Sequence, residues 1–515
     1  MARRSIARRR RSRRFTPRRW LPFVALSALV VGAVMVSSEQ PPAGPAAGDA
    51  SLDVARLPAV TSTDAISSAW YCAGGTATGK GGTAELSVVM ANDATRGAVA
   101  EVTVTDEAGK HVTQQVDVPA NGRARVVASD ILKADWVGVL VEVRGGRVAV
   151  DREVTGPLGF DSSPCSTEAS GHWYVPSGST LRGAEEYLSL FNPFPDSASV
   201  SVAFATDTGR RTPRALRALS IPGRSVRVVK VSDDITNRAA IAATVTARAG
   251  RVVVDRVQTY DGSGDPLVGS AAGSTSSPAP KGLVSTAASP VRGPRWIFAG
   301  ARVSPDVRTQ IVVFNPGTRT AEVDVDINYE EPKVHTSLEP AELTIRPGEQ
   351  AIVDLTDISG IVPDTDLWID VRSLTGVPVV AERLSFFGSE ARTGATATLG
   401  SPLAATGWMV TQGGATDARS TTVQVVNPGT SSAEVTAFVL SGGTRTELKA
   451  AATTVPGGDR RTLVLDGAGS SATVIVQSTK PVVVASSIAI AGGLGISVQP
   501  AFPYPETVVA LPPIS

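Results

Sequence analysis

Residues Gly74 to Gly81 (GGTATGKG) nearly spell a phosphate-binding loop, in which backbone amides opening a helix cradle phosphate. The motif needs Ser or Thr after its Lys to hold Mg²⁺, and Gly81 follows Lys80 instead. The next residues, AELSVVMAND, alternate like a strand, so a hairpin loop is expected here. Adjacent acids occur at Glu185-Glu186 and Glu330-Glu331, without any supporting acid or base group nearby in sequence. Asp261-Gly-Ser-Gly-Asp265 has the flavour of a calcium loop but lacks the run of oxygen ligands such loops require. Three His and two Cys in 515 residues leave little material for zinc clusters or histidine catalysis. Neither a Gly-x-Ser-x-Gly elbow nor a His-Glu-x-x-His helix is present. No catalytic residue, metal ligand or cofactor is expected.

Binding chemistry has two candidates. Trp70, Trp173, Trp296 and Trp408 would stack on sugar rings if exposed, or open a core if buried. Arg210, Arg211, Arg214, Arg217, Arg224, Arg227 and Lys230 form a basic stretch containing no acid, suited to an anionic polymer or a lipid headgroup. The stretch lacks interleaved aromatics, which argues against single-stranded nucleic acid. Acid–Arg neighbours recur at Asp151-Arg152, Asp255-Arg256 and Glu382-Arg383. Neighbours on a strand point to opposite faces, so each Arg is expected to meet a partner on an adjacent strand.

The elements that would position these residues repeat four times. From Trp173, Trp296 and Trp408 it is 19 residues to Asn192-Pro193, Asn315-Pro316 and Asn427-Pro428; from Trp70 it is 22 to Asn92-Asp93. A Pro-containing turn follows each Asn (VPANG, IPGR, RPGE, VPGG), and a run such as RVAVDR, RVVVDR, PVVAER or PVVVAS closes the copy. The landmarks recur in one order at a period of 100–123 residues, the mark of a repeat architecture. About seven alternating segments per copy indicate a β-sandwich of immunoglobulin size. The expected fold is all-β: a tandem array of about four immunoglobulin-like sandwiches at 67–165, 166–262, 293–400 and 401–512. A Gly/Ser/Pro-rich linker is expected at 263–292.

Cys72 lies two residues after the first Trp, and Cys165 just before the second copy. If the first and last segments of the copy lie side by side, the two would form a disulfide. Two free thiols or a bridge between chains are the alternatives.

Residues 1–19 carry ten Arg and no acid, and an uncharged apolar run follows over 20–36 (WLPFVALSALVVGAVMV). Such asymmetry predicts a transmembrane signal anchor with a cytoplasmic N-terminus, followed by a flexible tether at 37–66. Secretion after signal cleavage is the alternative. Without that tail the remaining 39 basic residues face 48 acids, so a nucleic-acid partner is not expected.

The Arg-rich anchor, the NPG…AEV phrases, the PG turns and the PVVVxR endings together resemble uncharacterised membrane-anchored or secreted envelope proteins of high-GC Gram-positive (actinobacterial) bacteria. The resemblance implies no established activity and transfers no functional residue. The expected role is a non-catalytic extracytoplasmic stalk, acting as a structural or interaction scaffold. Its partners would be the membrane, through 20–36, and an envelope protein or wall polymer. The alternative is a carbohydrate- or anionic-polymer-binding protein that assists wall or polysaccharide assembly.

Overall fold

The computed structural model describes residues 54–265, 279–330, 338–389, 392–414, 419–463, 465, 468–469, 472–490 and 493–511. Segments 1–19 and 20–36, with most of the tether, lie outside the described residues. Among the described residues no helix is long and apolar enough to cross a membrane. One α-helix is found among them, the four-residue turn Ala128–Ile131; nearly everything else is strand and loop.

The first copy shows the pattern. Its strands are β1 (Ser67–Cys72), β2 (Glu85–Asn92), β3 (Ala98–Asp106), β4 (His111–Val118), β5 (Gly122–Val127), β6 (Val137–Arg144), β7 (Val148–Gly156) and β8 (Gly159–Pro164). They form two antiparallel sheets, β1-β6-β3-β4 and β5-β2-β7-β8. β3 alternates buried and half-buried residues, because one face meets the opposite sheet and the other meets water. β7 is buried along most of its length, because its outer face is covered by neighbouring sandwiches.

This order departs from the immunoglobulin one, in which the first strand joins the second and the seventh joins the sixth. Here β1 pairs with β6, β2 with β5 and β3 with β4, a rolled-up nesting of the jelly-roll kind. β7 and β8 then extend the second sheet from β2. Sequence periodicity gives the faces of the strands, not their partners, and eight strands stand where about seven were expected.

The copies do not form a stalk. β8 and its counterparts Lys281–Ala287, Arg392–Leu399 and Ile496–Pro500 pack in a cycle: first on second, second on third, third on fourth, fourth on first. Each ends or nearly ends its own sheet, and an open edge invites further pairing. Here the four edges cover one another around a common axis. The approach is close: a Cβ on Gly282 would sit 2.2 Å from the backbone nitrogen of Ala395. Lys281–Ala287 falls in the stretch expected as a linker, and its small residues reflect this crowding rather than flexibility. Side chains stitch the axis, with Asp161 accepting from Ser285 N at 2.7 Å and Thr396 Oγ1 from Val498 N at 3.0 Å. Ser497 Oγ donates to Ser162 O at 2.8 Å.

The end of the expected tether is also committed. Val60 N donates to Pro503 O in the fourth copy, and Thr61 N to Val148 O in the first. Cys72 and Cys165 form a disulfide that joins the end of β1 to the residue after β8, across 93 positions.

Candidate functional site at the junctions between sandwiches

Strand register places Asp151, Asp255, Glu382 and Ala485 at one position of the repeat. They face Val89, Ser189, Val312 and Gln424, each three residues before its landmark Asn. The following residues, Arg152, Arg256, Arg383 and Ser486, are likewise equivalent. Alternation keeps acid and Arg of one pair apart, as expected. The partner, however, lies on the next sandwich rather than on an adjacent strand.

Arg152 of the first copy pairs with Asp255 of the second, and Gly74 N also donates to that carboxylate at 3.0 Å. Arg256 of the second pairs bidentately with Glu382 of the third, at 2.8 and 3.0 Å. Ser177 Oγ donates to the same carboxylate at 2.5 Å. At the junction of the fourth copy with the first, Ser486 offers no guanidinium. Asp151 accepts instead from Thr411 Oγ1 and from Gln499 Nε2 at 3.0 Å. At the junction of the third with the fourth, Ala485 offers no acid. Arg383, 4% exposed, has no ion-pair or hydrogen-bond partner among the described residues.

The charges respond to these surroundings. Burial pushes Asp151 up to about 6, against its hydrogen bonds from Thr411, Gln499 and Gln412. Burial lifts Asp161 to about 7 and Glu186 to about 8. Burial works to lower Arg256, but the carboxylates of Glu382 and Glu186 outweigh it and the group is raised. Burial lowers Arg152 to about 9 although Asp161 and Asp151 oppose it. Burial, with the neighbouring charge of Arg460, lowers Arg383 to about 9.

The other candidates distribute as follows. Trp70, Trp173 and Trp296 are 0% exposed and Trp408 1%, so none is a stacking platform. Their indoles bond inward, as Trp173 Nε1 does to Val252 O at 2.8 Å. In the 74–81 loop the backbone amides of Thr78 and Gly79 donate to Glu85, both at 3.0 Å, so a side chain of the protein occupies the anion cradle. The basic stretch is divided. Arg210 and Arg211 lie exposed on the edge strand Gly209–Arg211, with Arg214 and Arg217 exposed just beyond it. Arg227 and Lys230 belong to Ser225–Lys230 in the opposite sheet, where Lys230 pairs with Glu185 at 2.7 Å. Arg224 sits in the turn preceding that strand, at φ 50°. Glu186 is buried, Glu330 pairs with Arg460, and Glu331 lies outside the described residues. Asp261 accepts from Ser263 N at 2.7 Å, and Asp265 pairs with Arg182 at 3.2 Å. Among the described residues no group of three or more His, Cys, Asp or Glu stands close enough to hold a metal ion.

Sequence reasoning missed Arg460, buried at the third junction, where its Nε donates to Ala299 O at 2.9 Å. Its pairing with Glu330 spans 130 positions, which no local pattern carries. The available signal was the departure of Ala485-Ser486 from the acid–Arg pattern.

A family model described as a family of unknown function (DUF5719) matches residues 156–276 and 256–505. No curated protein matches the chain. Among solved structures, the crystal structure of Thermotoga maritima 1070 aligns at 19% identity over 21% of this chain and 94% of that one, TM-score 0.19. The Anabaena sensory rhodopsin transducer aligns at 23% identity over 18% of this chain and 83% of that one, TM-score 0.16. A tetra-tandem repeat from the extending region of a large adhesion protein aligns at 12% identity over 80% of this chain and 93% of that one, TM-score 0.11.

Proposed function

The chain belongs to the family of unknown function DUF5719, and we propose that it is a non-catalytic scaffold of the cell envelope. In this reading segment 20–36 anchors it in the membrane, and the four sandwiches stand outside the cytoplasm as a rigid platform for an envelope partner. The observation that carries the reading is the use of charge. Two buried acid–Arg pairs, Arg152–Asp255 and Arg256–Glu382, groups an enzyme would turn to chemistry, close one sandwich on the next. The Cys72–Cys165 disulfide suits an oxidising compartment. The ten Arg preceding an apolar run suit a cytoplasmic N-terminus.

Protease added to intact protoplasts tests the topology. Loss of everything beyond about residue 39 supports the reading, and full-length protected protein overturns it. A soluble chain beginning near that point supports secretion instead. Crosslinking in intact cells followed by purification names the partner.

The second reading is binding of an anionic wall polymer. It is favoured by the exposed Arg210, Arg211, Arg214 and Arg217. It predicts sedimentation with purified wall material that weakens steeply with salt and is lost when these four are replaced by Gln. The sugar-stacking version is set aside by the burial of the four Trp.

A further inference from the structure

Three of the four equivalent repeat positions carry an acid and keep it occupied, and the fourth carries none. The consequence falls on Arg383. Its equivalent Arg256 is neutralised by Glu382, but at the third junction Ala485 stands where that carboxylate would originate. An isolated buried guanidinium is costly unless an anion accompanies it.

Two spaces adjoin Arg383. The one shared with Ala485 is about 10 Å³, roughly enough for one water. The other is about 290 Å³ and lies between the third and fourth sandwiches, bounded by Gly300, Thr309, Ser385, Gln424 and Thr462 as well as Arg383 and Arg460. It reaches the exposed Thr422. Gly300 leaves the guanidinium uncovered there, since a Cβ at that position would lie 3.9 Å from Arg383 Nη1. The corresponding space at the second junction is walled by Val312, Ile352, Leu384 and Phe386, and its Arg256 is closed off. At the third junction Gln424, Thr462 and Ser487 replace Val312, Ile352 and Leu384.

The other charged groups at this cavity pair with one another. Arg460 pairs with Glu330 and with Asp366 at 3.4 Å, while Arg302 pairs with Asp364 and Asp366 at 3.2 and 3.3 Å. None of these carboxylates bonds Arg383, which is left as the cation without a direct partner among the described residues. Gln424 adds a second unmet group: its Nε2 donates to Thr422 and Ser487, but its buried Oε1 accepts nothing from the described residues.

The geometry points to a binding site for a small hydroxylated carboxylate in this cavity. The carboxylate of the ligand would pair with Arg383 as Glu382 pairs with Arg256, and a ligand hydroxyl would donate to Gln424 Oε1. The planar fork of Arg suits a carboxylate held by two parallel bonds. Burial of the guanidinium lowers its proton affinity, the expected state of a cation awaiting its anion.

Calorimetric titration of the full chain in detergent at low ionic strength tests this, with acetate, malate, glucuronate, inorganic phosphate and neutral glucose as probes. Malate or glucuronate should bind saturably at one per chain, tighter than acetate, and glucose should not bind. Arg383→Gln should weaken that binding at least tenfold. Ala485→Glu should abolish it, because the protein then supplies the missing carboxylate, and should raise Tm. Saturable binding by none of the three carboxylates overturns the proposal. So does equal binding by Arg383→Gln, or binding undiminished in a folded Ala485→Glu. Tight binding of inorganic phosphate with no response to any carboxylate overturns it as well.

Discussion

Arg256 of the second sandwich and Glu382 of the third meet through two parallel hydrogen bonds, each residue 1% exposed and 126 positions from the other. The contact belongs to a cyclic set. At three of the four junctions an acid of one sandwich is reached by the preceding sandwich, through its Arg where one exists and through the segment just after its Trp; at the third, Ala485 stands in the acid's place. The same relation carries over from the fourth copy to the first, where Thr411 and Gln412 reach Asp151. A linear array would leave its first acid, Asp151, and the last copy's Ala485-Ser486 facing water. Here all four positions are buried, so the chain has closed on itself.

Breaking this pair on one side should be more harmful than removing it. Glu382→Ala leaves the Arg256 charge buried without its partner, and a cost of about 3–5 kcal/mol is expected in urea denaturation. Replacing both residues by apolar ones of similar volume (Arg256→Met with Glu382→Leu) should cost much less. Equal costs for the single and double changes would show that the site needs the charge itself.

Stability should rise as pH falls from 8 towards 5. Asp151, Asp161 and Glu186 titrate at about 6, 7 and 8 when folded, all raised first by burial. Unfolded, they return to ordinary carboxylate values near 4, so between these limits the folded chain binds more protons. The resulting stability is fully present below the unfolded values and is lost as pH climbs through the folded ones. A gain of more than about 1.4 kcal/mol between pH 8 and pH 5 is expected, the equivalent of one pK unit. Glu85, Glu153 and Glu185 are shifted down, so their contribution fades only at lower pH. Glu186→Gln should flatten the upper part of the curve, and an unchanged slope would refute the assignment.

The landmark Asn should matter more than the Pro after it. Asn315 is fully buried; its Nδ2 donates to Arg319 O at 2.8 Å and Ile345 O at 2.9 Å, and its Oδ1 accepts from Gly317 N at 3.0 Å. Asn92, Asn192 and Asn427 make the same clamp, Asn92 without a Pro beside it. Asn315→Ala leaves several buried backbone groups unpaired, each at about 1–3 kcal/mol. Pro316→Ala should change stability by less than about 1 kcal/mol. Thermal or urea unfolding of the two variants separates them.

That clamp also shows how far the sequence could be read. The Asn and the later Pro turn recur at a similar separation, 27 to 30 positions, because one side chain ties them together, so the spacing was a true structural signal although its cause was invisible. Strand faces were legible too, since AEVDVDI alternates as it is buried. The partners of Arg152, Arg256 and Arg460 were not, because they lie on other sandwiches and leave no local trace. Lys281–Ala287 (KGLVSTA) misled for a physical reason. Crowding at the axis selects Gly, Ser and Ala, the composition that a flexible linker also has.

Ring closure makes a prediction that separates it from a stalk. Residues 266–278 lie outside the described residues, so a protease site inserted there interrupts no described contact. Cutting it yields one half with the first sandwich and most of the second, while strand Lys281–Ala287 of the second stays with the third and fourth. In a stalk those halves would be joined only around the second junction, by the pairing of Lys281–Ala287 with Val253–Asp261 and by Arg256–Glu382. In the closed arrangement they are joined at the fourth junction too, where Trp70 meets Phe502 edge-on at 5.7 Å and Ser162 bonds Ser497. The cut chain should therefore elute from gel filtration as one species of unchanged size and part only in denaturant. Two surfaces joining the same halves act on each other at high effective concentration, so Phe502→Ala should lower the urea concentration at which the cut halves part. An unchanged midpoint would show that the first and fourth sandwiches do not hold the halves together and that the array is held in line rather than closed.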